Sequence, residues 1–236
     1  MQIPKFIILF IMLLVKGAAF GQVYLGISAD LGNKVAIHPD AGETLKSPAF
    51  PSGRIRLLIQ EELKNKWVLH YGVSAGILAY SIRAAEADSL LNDPEIYDSY
   101  TDAITFIDGH MAFGRHFSIR QKIFTMLVGG GATYYSETFV MGASSVWSGN
   151  SWEDVFEYRM ESGEQKVKGF AKISVQANIT PRFRLGLEYT HHFTQVLNGT
   201  YAFYHMKNPP SGTLSLTPKA ISLLFIVRIS KKNPVR

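Results

Sequence analysis

The chain has 236 residues, 24 lysines and arginines against 19 acidic residues, a formal charge of +5, and no cysteine. A disulfide scaffold and an anchor attached through cysteine are excluded, and so weak a basic excess makes nucleic acid a poor partner. Beyond the leader no stretch approaches roughly eighteen consecutive apolar residues, so no helical membrane span is expected.

The chain opens MQIPKFIILFIMLLVKGAAFGQ. Lys5 supplies a positive start, Phe6 to Val15 an apolar core, and Ala19-Phe20-Gly21 a small-x-small cleavage pattern, so residues 1–21 are read as a secretory signal peptide. Cleavage after Gly21 leaves one domain, 22–236. Loss of Lys5 and Lys16 takes the basic count from 24 to 22 against 19 acids, a charge of +3.

Side chains on a strand alternate faces, so apolar residues at every second position mark a half-apolar sheet. The first such run is Val23 to Leu31, followed by a Pro- and Gly-punctuated loop from Gly32 to Ser52. The second, Gly53 to Leu63, turns tightly at Asn65-Lys66 into a third, Trp67 to Tyr80. A polar loop from Ser81 to Asp102 carries Glu86, Asp88, Asp93, Glu95 and Asp98. The fourth strand, Ala103 to Arg115, connects briefly to a fifth, Lys122 to Tyr135, whose faces are blurred by Gly129-Gly130-Gly131. After a loop from Ser136 to Gln165 comes the clearest hairpin, KVKGFAKISVQANITPRFRLGLEYTHHF. Its turn at Thr180, Pro181 and Arg182 pairs Ile173 with Tyr189 and Ser174 with Glu188, and sets Lys172 diagonal to Glu188. A last loop, Thr194 to Pro218, leads to the final strand, Lys219 to Ser230.

Eight strands result, with connections alternating long and short, so that all long loops lie at one end. A soluble β-sandwich shares the composition but has no reason to segregate loop length. The expected fold is therefore all-β: an eight-stranded antiparallel up-and-down transmembrane β-barrel in an outer membrane. One face of its strands holds Asp30, Arg54, Arg56, Glu62, His70, Asp108, His110, Lys172, Arg184, Glu188, His192 and Arg228. An eight-stranded interior is just filled by side chains, which favours a self-neutralising plug over a pore. Trp67 and Phe183 toward the turns, and Tyr80, Tyr134, Tyr135, Tyr189 and Phe193 toward the loops, read as interfacial aromatic girdles.

The leader, the eight amphipathic strands and the final AISLLFIVRIS together resemble the small outer-membrane barrels of OmpA/OmpX type, although the chain continues past that strand as KKNPVR. The resemblance implies an envelope protein whose partners are outer-membrane lipids and lipopolysaccharide. The long loops 136–165 and 194–218, with Trp147, Trp152, Phe156, Tyr158, Tyr201, Phe203 and Tyr204, either bind an external ligand or partner protein or pack together over the barrel. A looser likeness joins YTHHFTQVLNG to the His-x-Ser-Asn region of lipid A 3-O-deacylases. It would make His192 the base and Thr194 the nucleophile, with Gln195 in place of the asparagine. Such a nucleophile needs an oriented base, yet no Asp or Glu follows Glu188, and Glu188 lies about 13 Å along the strand from His192. The reading is thus a structural or binding barrel without catalytic residues, cofactor or metal, with a degenerate acyl hydrolase as the alternative.

Overall fold

The computed structural model describes residues 21–39, 41, 44–85, 97–136, 138–147, 151–204 and 209–230. The first twenty residues of the expected leader lie outside the described residues, as do Glu86, Asp88, Asp93 and Glu95. In chain order the strands are β1 (Gln22–Asn33), β2 (Val35–His38), β3 (Leu45–Lys46), β4 (Phe50–Glu62), β5 (Trp67–Ala85), β6 (Tyr97–Ile119) and β7 (Lys122–Tyr135). They continue as β8 (Phe139–Trp147), β9 (Trp152–Ser162), β10 (Val167–Asn178), β11 (Phe183–His192), β12 (Leu197–Phe203), β13 (Ser211–Leu216) and β14 (Lys219–Arg228).

Eight of them close a ring in which each is antiparallel to its neighbours: β1, β4, β5, β6, β7, β10, β11 and β14, with β14 returning to β1. The fold is the expected eight-stranded barrel. In the β10–β11 hairpin Ile173 pairs with Tyr189 and Ser174 with Glu188, the register read from its alternation. The short turns fall where expected, including Arg120-Gln121, whose positive φ angles of 47° and 68° fit a two-residue hairpin turn.

The long connections differ from expectation, because their described residues are largely strand. β5 and β6 run on together to the pair Ala85–Tyr97, and the other long connections contribute a second sheet in the order β2-β13-β12-β9-β8. Each member abuts a barrel strand in the chain, and the order reproduces the barrel order β1-β14-β11-β10-β7. The wall therefore rises as a second storey, interrupted at Lys34, at Ser136 and Thr138, at 163–166 and 193–196, and at Thr217-Pro218.

At these breaks the polarity of the wall inverts. Below them, exposed positions are apolar, such as Ile27, Ile55, Val128, Leu187 and Ile221, and buried ones include Arg56, His70, Lys172 and Glu188. Above them, Tyr80, Ile82, Phe156, Met160, Leu197, Phe203 and Leu216 form one buried cluster. A wall bathed in hydrocarbon turns its apolar side chains outward, and a wall bathed in water turns them inward. The breaks thus mark where lipid would give way to water.

Parity corrects two girdle residues. Tyr80 and Tyr135 are buried at 0 % and 4 % exposure, on inward positions, whereas Trp67, Tyr189 and Phe193 are exposed as a girdle requires. The uncertain faces of β7 are also resolved, with Thr125, Leu127 and Thr133 inward and Met126 and Val128 outward. Gly129 and Gly131 are inward where β6 comes close: a Cβ at either would lie 2.1 Å from the carbonyl oxygen of Met111 or Gly109. Ile59 and Tyr71 have outward parity but are buried against each other.

Leu187, 59 % exposed at the middle of β11, tests the outer wall. Leu187→Arg is expected to cost about 2–4 kcal/mol in urea titrations of folding into lipid vesicles. A cost below about 1 kcal/mol would put this face in water rather than lipid.

Candidate functional site

The middle of the lumen holds two charge clusters on inward positions of different strands. In one, Arg54 of β4 donates to Asp30 of β1, Nη2 to Oδ2 at 2.5 Å and Nε to Oδ2 at 2.6 Å. Its Nη1 lies 3.7 Å from Asp108 of β6, which accepts a hydrogen bond from Ser74 at 2.5 Å and contacts His110 Nδ1 at 3.1 Å. In the other, Glu188 of β11 takes Arg56 Nη1 on one oxygen at 2.7 Å and Lys172 Nζ near the other at 3.3 Å. The second contact is the expected diagonal pair.

All six of these charged groups have side chains no more than 9 % exposed. Burying a charge is costly unless it is paired and hydrogen-bonded, and here each faces an opposite charge from another strand. Apolar packing adds to the closure on the turn side. Tyr24, Leu58, Leu224 and Ile226 fill one part of the lumen and Val68, Ala112 and Leu127 another. At the junction with the upper storey, Asp30, Asn33, Arg54, Thr133, Thr190 and His192 are among the residues lining a cavity of about 10 Å³. That is room for a single water.

His192 sits at this junction, 5 % exposed, with Nε2 at 3.1 Å from Thr133 Oγ1 and 3.0 Å from Tyr135 Oη. Its Nδ1, where an orienting carboxylate would sit in a catalytic triad, has no hydrogen-bond partner among the described residues. Thr194 is exposed, and no hydrogen bond joins it to His192 among the described residues. The two residues of the hydrolase alternative are therefore near in sequence but not assembled. Thr133 and Tyr135, the actual partners of His192, lie on β7, whose glycine-blurred alternation concealed their facing.

Above the junction, the β5–β6 extension and the five-stranded sheet enclose the apolar cap. Phe156 packs on Phe203 at 4.7 Å and on Tyr100 at 5.8 Å between ring centroids. Phe156, Tyr158, Tyr201 and Phe203 are at most 2 % exposed, so these loop aromatics form the cap's core rather than a surface. Tyr204 is partly exposed and its hydroxyl donates to Glu157; the side chains of Trp147 and Trp152 lie outside the described residues. Asp102, at the cap's side, is pushed above the usual carboxylate range by burial, opposed by the hydroxyl that Tyr158 donates at 3.4 Å. The outer face of β9 carries exposed Asp154, Glu157, Arg159 and Glu161, and the neighbouring edge strand β8 exposes Phe139 and Met141. Arg159 covers the Phe139 ring at 4.7 Å.

No protein-family model matches the chain, and no curated protein matches it. Among solved structures it is similar to the outer membrane protein OprG from Pseudomonas aeruginosa, with 7 % identity over 90 % of this chain and 97 % of that one and a TM-score of 0.44. It is also similar to the outer membrane protein AlkL, with 9 % identity over 92 % and 94 % of the two chains and a TM-score of 0.41. A third similarity is to the outer membrane enzyme PagL, with 12 % identity over 86 % and 99 % and a TM-score of 0.34. The closed ring of eight antiparallel strands, read from its own pairings, makes this chain a β-barrel.

Proposed function

We propose that this chain is an exported outer-membrane barrel that conducts nothing and serves as a surface scaffold. In this reading its apolar wall lies in lipid and its folded cap stands outside as a structural and binding platform. Lipids and lipopolysaccharide are the partners of its wall. An external ligand or partner protein would meet the cap through the segments 136–165 and 194–218. The observation that carries the reading is the double closure, in which paired charges fill the lumen and the aromatic residues of the long connections are spent on a core above it. What the cap leaves outward is the mixed acidic and apolar face of β8 and β9, a surface suited to recognition. The hydrolase alternative gains nothing from the geometry, since its base and nucleophile do not meet.

Planar-bilayer recording with the purified full-length protein tests the sealed lumen. The expected trace is flat over the voltages that open porins. Reproducible stepwise conductance from the wild-type chain would make it a channel and overturn the scaffold reading.

A further inference from the structure

The turn end of the barrel carries a feature that a sealed scaffold does not use. Arg54, Arg56 and Lys172 each face a carboxylate at mid-lumen, but Arg184, equally buried at 7 % exposure, does not. Its two Nη groups donate to neutral acceptors, Gln60 Oε1 and Tyr24 Oη, both at 2.5 Å, and the guanidinium lies 4.4 Å from the Tyr24 ring centroid. Arg184 also lines an open vestibule of about 660 Å³ between the short turns, shared with Lys66, Lys122 and Arg228. Glu62 is the one acidic residue in that lining, against four lysines and arginines; its charge acts on Arg184 without an ion-pair contact, and it accepts a hydrogen bond from Gln22 at 3.1 Å. The buried Nε of Arg228 has no hydrogen-bond partner among the described residues. Four cations converging on one concavity against a single acid leave a charge that an anion from outside would balance.

We propose that this vestibule binds a phosphate-bearing anion, and that the phosphate is the headgroup of an anionic phospholipid in the turn-side leaflet. The shape of the lining favours a lipid over a free ion. Ile179, 50 % exposed and in step with outward Ile173 and Val175, belongs to the same lining, with Ile123, 44 % exposed, at the lumen mouth beside it, so cations and an apolar shoulder adjoin. An acyl chain lies against Ile179 on the outer wall while the phosphate reaches inward between Lys66, Lys122 and Arg228. Arg184 forms the floor, held in place by Gln60 and Tyr24. Exposed Lys64, Arg120 and Arg182, on the same turns, add a surrounding positive field.

Native mass spectrometry of the full-length protein, released from detergent with phosphatidylglycerol or phosphatidylcholine, is the direct test. Phosphatidylglycerol should be retained preferentially. The pair Lys66→Gln and Lys122→Gln, both at exposed turn positions that should not disturb folding, should weaken it roughly 30-fold. Lys34→Gln, at the opposite end of β1, should change nothing. Inorganic phosphate provides the second arm. If it binds with the same sensitivity to Lys66 and Lys122 while the two lipids are retained equally, the anion site stands and the lipid assignment falls. Equal retention of both lipids with no phosphate binding, or retention unaffected by the double substitution, overturns the site altogether.

Discussion

Replacing Glu188 by alanine is expected to destabilise the barrel by about 3–5 kcal/mol, the cost of leaving a buried partner uncompensated. The upper part of that range applies because two cations lose their partner at once, Arg56 at 2 % exposure and Lys172 at 5 %. The neighbouring acids are already engaged: Asp30 and Asp108 both with Arg54, and Asp108 also with Ser74 and His110. Urea titration in lipid vesicles measures the loss, and the shift in gel mobility between folded and heated protein confirms that the variant folds. A loss under about 1 kcal/mol would show that water reaches these groups and solvates them, and the plugged lumen would then be the wrong description.

Truncating Phe156 to alanine should cost a similar amount, about 3–5 kcal/mol, but in a different place. Phe156 is fully buried at the centre of the cap, in contact with Phe203, Tyr100 and Tyr158. None of its ring partners belongs to the lumen clusters, so the loss should open the cap while the barrel keeps its resistance to detergent. Hydrogen exchange should show faster exchange in β9 and β12, with β10 and β11 unchanged. Joint loss of protection in β9 and β10 would show the two storeys to be one cooperative unit.

The barrel was legible because hydrocarbon outside and charge inside impose a period of two that little else produces. The β10–β11 hairpin shows it best: alternation and the turn at 180–182 together fix the register, the outward Leu187 and the Lys172–Glu188 contact. The second storey was hidden by the same logic. Val155-Phe156-Glu157-Tyr158-Arg159-Met160 alternates as clearly as any barrel strand, yet it falls in a segment that the barrel plan treats as a connection. Acidic and aromatic residues together there read as a loop that either binds a partner or packs over the barrel, whereas they are the wet and dry faces of β9. Tyr80 could have been placed from its parity, since it shares the inward positions of His70 and Ser74. The setting of Arg184, with its neutral hydrogen-bond partners, could not. Its neighbours Lys66, Lys122 and Arg228 come from separate turns and the last strand, and only closure of the ring brings them together.

The copied strand order has a consequence for how the chain can assemble. The β1–β14 pairing, Tyr24–Leu31 against Arg228–Ile221, joins the two ends of the barrel sequence. Directly above it, Val35–His38 of β2 pair with Leu216–Thr213 of β13, linking residues from 175 positions apart (His38 and Thr213) to 181 (Val35 and Leu216). A closure of such long range gains its contacts late, after most of the loop entropy has been lost. The β2–β13 ladder continues the β1–β14 seam into the second storey, so both pairings carry the same long-range closure. The place where an open sheet becomes a ring is fastened twice, so opening that seam requires both the barrel pairing and the cap pairing above it to part.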